Sequence, residues 1–161
     1  MKTIVTEQVN ALWERISQAS SEESARIAQR LQRKQPFIMV YLLASDEGLM
    51  EGQDRGRLME LGAFIHEIMY SANPKLRRVT GKKLEAAEDA NLKFLEELDE
   101  GSEMGFIASM QKLMATYNQM PLLGAVLEAL MEGHEEHPEL APENLGMALL
   151  HLKTVIDCLD Q

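Results

Sequence analysis

The sequence of 161 residues predicts an all-α fold: one compact domain of eight helices, built as two similar four-helix units. Three observations predict it. Apolar residues recur at three- and four-residue steps almost throughout, which places them on one helical face. No segment of alternating apolar and polar residues offers a strand partner. Two stretches 85 positions apart, residues 36–48 and 121–133, repeat the same pattern. A chain of this length, 45% apolar and 26% charged, can bury a core without disulfides or metals.

The elements follow in order. Val5, Val9, Leu12, Trp13 and Ile16 form one apolar stripe and predict the first helix. Ser20, with Glu23 three residues on, reads as a capping box opening the second. Its stripe is sparse (Ile27, Ala28, Leu31), and another face carries Arg26, Arg30, Arg33 and Lys34. Pro36 suits the first turn of a third helix, where a missing N–H costs nothing. The segment PFIMVYLLA is apolar nearly all round, which predicts a helix covered on more than one side. Asp46-Glu47-Gly48 ends it. Asp54 reads as the N-cap of a fourth helix with the stripe Leu58, Leu61, Gly62, Ile65, Ile68 and Met69, and Asn73-Pro74 stops it.

The second half repeats the plan. Leu84, Ala87, Asn91, Leu95 and Leu98 mark a helix from Lys82 to Glu100, ended by Gly101. Ser102 reads as the cap of the next, with Phe106, Ile107, Met110, Leu113, Met114 and Tyr117. Pro121 opens PLLGAVLEALMEG, the polar segment HEEHPELAPEN follows, and Leu145, Ala148, Leu149, Leu152, Val155, Ile156 and Leu159 give the cleanest stripe in the chain.

Residues 36–48 laid over 121–133 give five identities in thirteen, including Leu42/Leu127 and Ala44/Ala129, where roughly one is expected from average composition. The following helices align at an offset of 87, with Leu58/Leu145 identical and Ile65/Leu152, Ile68/Val155 and Met69/Ile156 alike in character. This predicts an internal duplication, with one unit over residues 1–73, the other over 82–161 and a connection at 74–81. Two helices that are apolar all round suggest a shared core with both inside it, about an approximate two-fold axis.

Charge is unevenly divided. Residues 1–81 hold eleven Lys+Arg and ten Asp+Glu, net +1; residues 82–161 hold five and sixteen, net −11. Arg26, Arg30 and Arg33 line one helical face of the first half, and Lys75, Arg77, Arg78, Lys82 and Lys83 crowd a short stretch that runs through the connection into the start of the second half. A net charge of −10 and a basic stretch with no aromatic for base stacking argue against nucleic acid as partner. A dipolar surface of this kind steers a charged protein partner or joins unlike faces of two copies.

Chemistry-bearing constellations are sparse. His134 and His137 flank two glutamates in GHEEHPE, a weak metal-ligand pattern for zinc, nickel or iron. Yet Gly133 and Pro138 put it in a loop, and neither HExxH nor Glu-x-x-His occurs. Cys158 is the sole cysteine, so no internal disulfide forms and a reducing, cytoplasmic location is expected. His151 lies two turns before it, too far along one helix to act as its base. Glycines near residues 48–56 are mixed with acid and form no phosphate loop; the acidic residues there do not follow the order of a calcium loop. No apolar run reaches the roughly 20 residues of a membrane span. Eleven methionines, with Met110 and Met114 four apart, suit either core filling or an adaptable partner groove.

The expected function is therefore that of a non-enzymatic helical interaction module, without cofactor, binding a protein partner or itself through Arg26, Arg30, Arg33, Met110 and Met114. The alternative is a small-molecule or metal-binding bundle with a pocket between the units, drawing on His66, Tyr70, Tyr117, His151 and the His134/His137 segment.

Overall fold

The computed structural model of the protein describes residues 1–44, 52–99, 103–131 and 141–161. Among the described residues there are eight α-helices and no strand: α1 (Thr6–Ser17), α2 (Ser21–Lys34), α3 (Pro36–Ala44), α4 (Gln53–Ala72), α5 (Gly81–Asp99), α6 (Glu103–Thr116), α7 (Met120–Met131) and α8 (Pro142–Leu159). The all-helical prediction holds. The segments read as Asp46-Glu47-Gly48, Gly101-Ser102 and HEEHPEL lie outside the described residues.

Local chemistry accounts for most boundaries. Ser20 Oγ accepts the Glu23 N–H at 3.2 Å, which satisfies one of the free donors at the start of α2. At the start of α1 the apolar stripe shifts. Val5 is the N-cap, in extended backbone, and in an extended chain successive side chains point to opposite sides. Ile4 therefore turns inward and is buried, whereas Val5 is exposed. Asp54 is not the N-cap of α4. That position is Gly52, with φ +60°, a left-handed conformation that favours glycine. Asp54 lies in the first turn, where its Oδ2 accepts from Asn144 Nδ2 of α8 at 2.5 Å.

The centre of the molecule is α4 packed along α8. Leu58, Leu61, Ile65, Ile68 and Met69 of α4 and Ala148, Leu152, Val155, Ile156 and Leu159 of α8 are all buried in one cluster that takes residues from both halves. Each large aliphatic side chain so buried stabilises the fold by roughly 1.5–3 kcal/mol relative to exposure. Around this pair, α1 packs on α4 and α7, α5 on α8 and α3, α3 on α4, and α7 on α8. α2 lies against α3 and α4. α6 packs chiefly on α5.

The sequence pattern assigns α3 and α7 to the interior, and this is corrected. Only one stripe of α3 is covered (Ile38, Leu42), while Phe37, Val40 and Leu43 are exposed. On α7, Leu127 and Met131 remain exposed beside buried Leu122, Leu123, Val126 and Leu130. The interior goes instead to α4 and α8. At 20 and 18 residues they carry continuous stripes about twice as long as α3, and a longer stripe buries more apolar area along a single helix pair.

Candidate functional site

Three places concentrate chemistry. The first is the basic face of α2. Arg26, Arg30 and Arg33, with Gln29, line one open cleft of about 270 Å³, so the three arginines do share a surface. Their charges are not equally available. Arg26 pairs with Glu22 at 2.6 Å one turn away. Arg30 Nη1 donates to both carboxylate oxygens of Glu67 at 2.5 Å, and Glu67 is buried, with Arg15 a further 3.6 Å away. Arg30 is thus committed to balancing an acid inside the fold. Removing it would strand a buried carboxylate, the costly way to break such a pair.

The connection completes this face. Gln35, itself buried, grips the backbone of the basic segment at two points: its Nε2 donates to the Arg77 carbonyl at 3.0 Å and its Oε1 accepts from Val79 N–H at 2.8 Å. This holds Arg77–Val79 against the end of α2. Arg78 Nη2 then donates to the Arg33 carbonyl at 3.3 Å, which neutralises an unsatisfied acceptor at a helix C-terminus. Two basic clusters separated by about forty residues in sequence become neighbours. Lys34 and Arg30 also lie 5.9 and 5.5 Å from the centroid of the Tyr70 ring.

The second place is an apolar cavity of about 160 Å³ inside the second half, enclosed by α5, α6, α7 and α8. Phe94, Leu113, Leu123 and Leu150 line it, and the exposed Met114 and Leu127 also contribute. Of the two methionines expected at a partner surface, Met114 lines this cavity; the Met110 side chain lies outside the described residues. The lining has a polar element, Asn91 and Lys153. Lys153 Nζ donates to Asn91 Oδ1 at 2.7 Å and Asp157 Oδ2 at 2.8 Å. Asn91 Nδ2 donates to Thr154 Oγ1 and Asp157 Oδ2. Tyr117 OH donates to Asp157 Oδ1 at 2.6 Å. Burial first, then the Asp157 carboxylate, pushes the Tyr117 phenol well above its ordinary range.

The third place is a set of buried titratable groups on α3, α4 and α8. Tyr41 OH donates to Glu88 Oε1 at 2.9 Å and lies 2.8 Å from His151 Nδ1. One phenol proton serves one acceptor, so with Glu88 taking it the phenol oxygen is left to accept from His151. This cluster ties α3, α5 and α8 together. Burial and Glu88 hold the Tyr41 phenol far above its usual value, so it does not lose its proton near neutrality. On the other side of α4, His66 stacks on Tyr70 at 5.8 Å. Both its ring nitrogens are buried and have no hydrogen-bond partner among the described residues. Burial, with Arg30 and Lys34 nearby, pushes its imidazole down to about 4. Burial likewise pushes the Cys158 thiol up to about 11. His66 and Tyr70 therefore sit apart, whereas His151 and Tyr117 belong to one polar network: Thr154, which accepts from Asn91, also bonds Tyr41, and Asn91 and Tyr117 both donate to Asp157. His134 and His137 lie outside the described residues; among the described residues no group of three metal-ligating side chains forms, and no helix is long and apolar enough to cross a membrane.

Two residues that build these places are easy to pass over in the sequence. Gln35 gives no signal beyond a polar residue before proline. Asn91 does: it is a polar residue at a core-facing position of the α5 stripe, and such a position demands partners. The chain matches no family model, no curated protein and no solved structure.

Proposed function

We propose that the protein is a non-enzymatic helical interaction module that docks an acidic segment of a partner protein on the face formed by α2 and the 74–81 connection. The contact between Arg78 and the Arg33 carbonyl carries this reading, because it merges the two basic clusters into one surface with Gln35 as its clamp. Arg33 has no acidic partner among the described residues, and Arg26 has only an exposed intrahelical one, worth a few tenths of a kcal/mol. Those two guanidiniums and Arg78 recognise the partner; Arg30 positions the face through Glu67. A carboxylate-rich segment suits the cleft because arginine forks bind carboxylates in pairs.

We further read the two halves as copies of one unit. The packing relations support this: exchanging α1 with α5, α3 with α7 and α4 with α8 turns each observed contact among these six helices into another. α2 and α6 depart from it, since α2 lies on α3 and α4 whereas α6 lies chiefly on α5.

The test is fluorescence anisotropy with a labelled Glu/Leu-rich helical peptide, at 50 and 300 mM salt. The expected result is binding that weakens with salt and falls at least tenfold in Arg26→Glu/Arg33→Glu/Arg78→Glu, with circular dichroism unchanged. Arg30 is left intact because of Glu67. Absence of binding, equal binding by the triple variant, or tighter binding of a single-stranded oligonucleotide overturns the proposal.

A further inference from the structure

The geometry points to the α5–α8 cavity as a binding site for a small apolar molecule of about six carbons that ends in one uncharged oxygen acceptor. The inference stands apart from the acidic-partner reading and concerns the opposite half of the chain.

The cavity exists because of specific residues. Under the alignment at an offset of 87, Gly146 stands where the first half has Met59, a side chain packed on the core. A Cβ added at Gly146, which lines the cavity, would meet nothing within 4 Å. Gly62, which the first half uses for a close helix approach, corresponds to Leu149, a residue lining the cavity. Leu42, packed on Gly62, is fully buried, whereas the corresponding Leu127 is 37% exposed and also lines the cavity. α6, which packs chiefly on α5, contributes Leu113 and Met114 to the lining.

Size and chemistry select the occupant. A cavity of about 160 Å³ is comparable to the roughly 150 Å³ apolar cavity that takes up benzene. Its lining is apolar apart from Asn91 and Lys153. Two of the three Lys153 N–H donors are used, on Asn91 and Asp157. Among the described residues the third has only the Tyr117 ring, 4.7 Å away, a much weaker acceptor than oxygen. An incoming hydroxyl or carbonyl oxygen can take that donor. A carboxylate is disfavoured because Asp157 already balances the ammonium, and an ammonium is disfavoured because it would meet Lys153.

Calorimetric titration of the full chain with 1-hexanol, hexanoate, hexylammonium and benzene tests this. The expected order is hexanol tightest, with one site per chain, then benzene, with both ions weaker by tenfold or more. Gly146→Leu, which fills the cavity, should abolish hexanol and benzene binding. Lys153→Met should weaken hexanol about tenfold and leave benzene unchanged. Tightest binding by either ion overturns the choice of an uncharged acceptor. Absence of hexanol binding, or equal binding by Gly146→Leu, overturns the site.

Discussion

Leu42 of α3 lies directly over Gly62 of α4, so close that a Cβ on Gly62 would overlap Leu42 Cδ1. Leu42 and Gly62 are both buried, and protein interiors are packed too densely for such a side chain to move without displacing others. The glycine is therefore what lets α3 lie against α4 at this point.

Gly62→Ala should accordingly destabilise the fold. Alanine gains about 1 kcal/mol in helix propensity over glycine, while overpacking a core typically costs 1–3 kcal/mol; the expected net loss is roughly 1 kcal/mol, read as a lower urea midpoint. Leu42→Ala relieves the overlap, so its cost should be smaller in the Gly62→Ala background than alone. Additive costs, or a stabilised Gly62→Ala, would remove the contact from the account.

His66 gives the protein an acid-sensitive core. Its imidazole is pushed from 6.5 down to about 4 by burial and by Arg30 and Lys34. Above pH 6.5 both folded and unfolded chains hold it neutral, and it has no effect on stability. Between pH 6.5 and 4 the unfolded chain takes up a proton that the folded chain refuses, so stability falls as pH falls. The loss attributable to His66 should reach roughly 2–3 kcal/mol by pH 4.5. His66→Leu should remove that part of the slope while equalling or exceeding the parent at pH 7.5, because it also removes two unpartnered buried nitrogens. Parallel stability–pH curves for the two proteins would refute this.

Cys158 should be chemically silent in the folded protein. It is buried, its Sγ lies 3.5 Å from the Lys83 carbonyl as a donor, and its thiol is pushed up to about 11. Since the thiolate is the reactive form, labelling by a disulfide reagent at pH 8 should be at least a hundredfold slower than in 6 M urea and should track global opening. Fast labelling under native conditions would show that α8 opens locally there.

Much of the fold is legible from residue spacing because helix formation and core placement follow a local rule. The α4 stripe is buried as spaced, as is the α8 stripe apart from the half-buried Leu145 and Leu149; Ser20 caps α2, and Asn73-Pro74 ends α4. Where the reading fails, the cause is a long-range choice. α3 looks like an interior helix because every one of its residues is apolar, yet three of its large side chains face outward; composition does not say which neighbours are present to cover a surface. Val5 fails for a local reason, since the helix begins one residue after it. The candidate sites follow the same division. The row of arginines on α2 is periodic and visible, but its union with Arg78 depends on Gln35 bridging to a segment some forty residues on.

The sequence by itself determined that the chain is helical, where the main stripes run, and that acid gathers in the second half while base gathers in the first half and the connection. Periodicity and composition carry that information residue by residue. The tertiary structure decided which helix pair occupies the centre, which arginine is spent on a buried glutamate, and that α5, α6, α7 and α8 leave an apolar cavity between them. Those outcomes depend on side chains from distant segments competing for the same space, and a volume shared by four helices has no signature within any one of them.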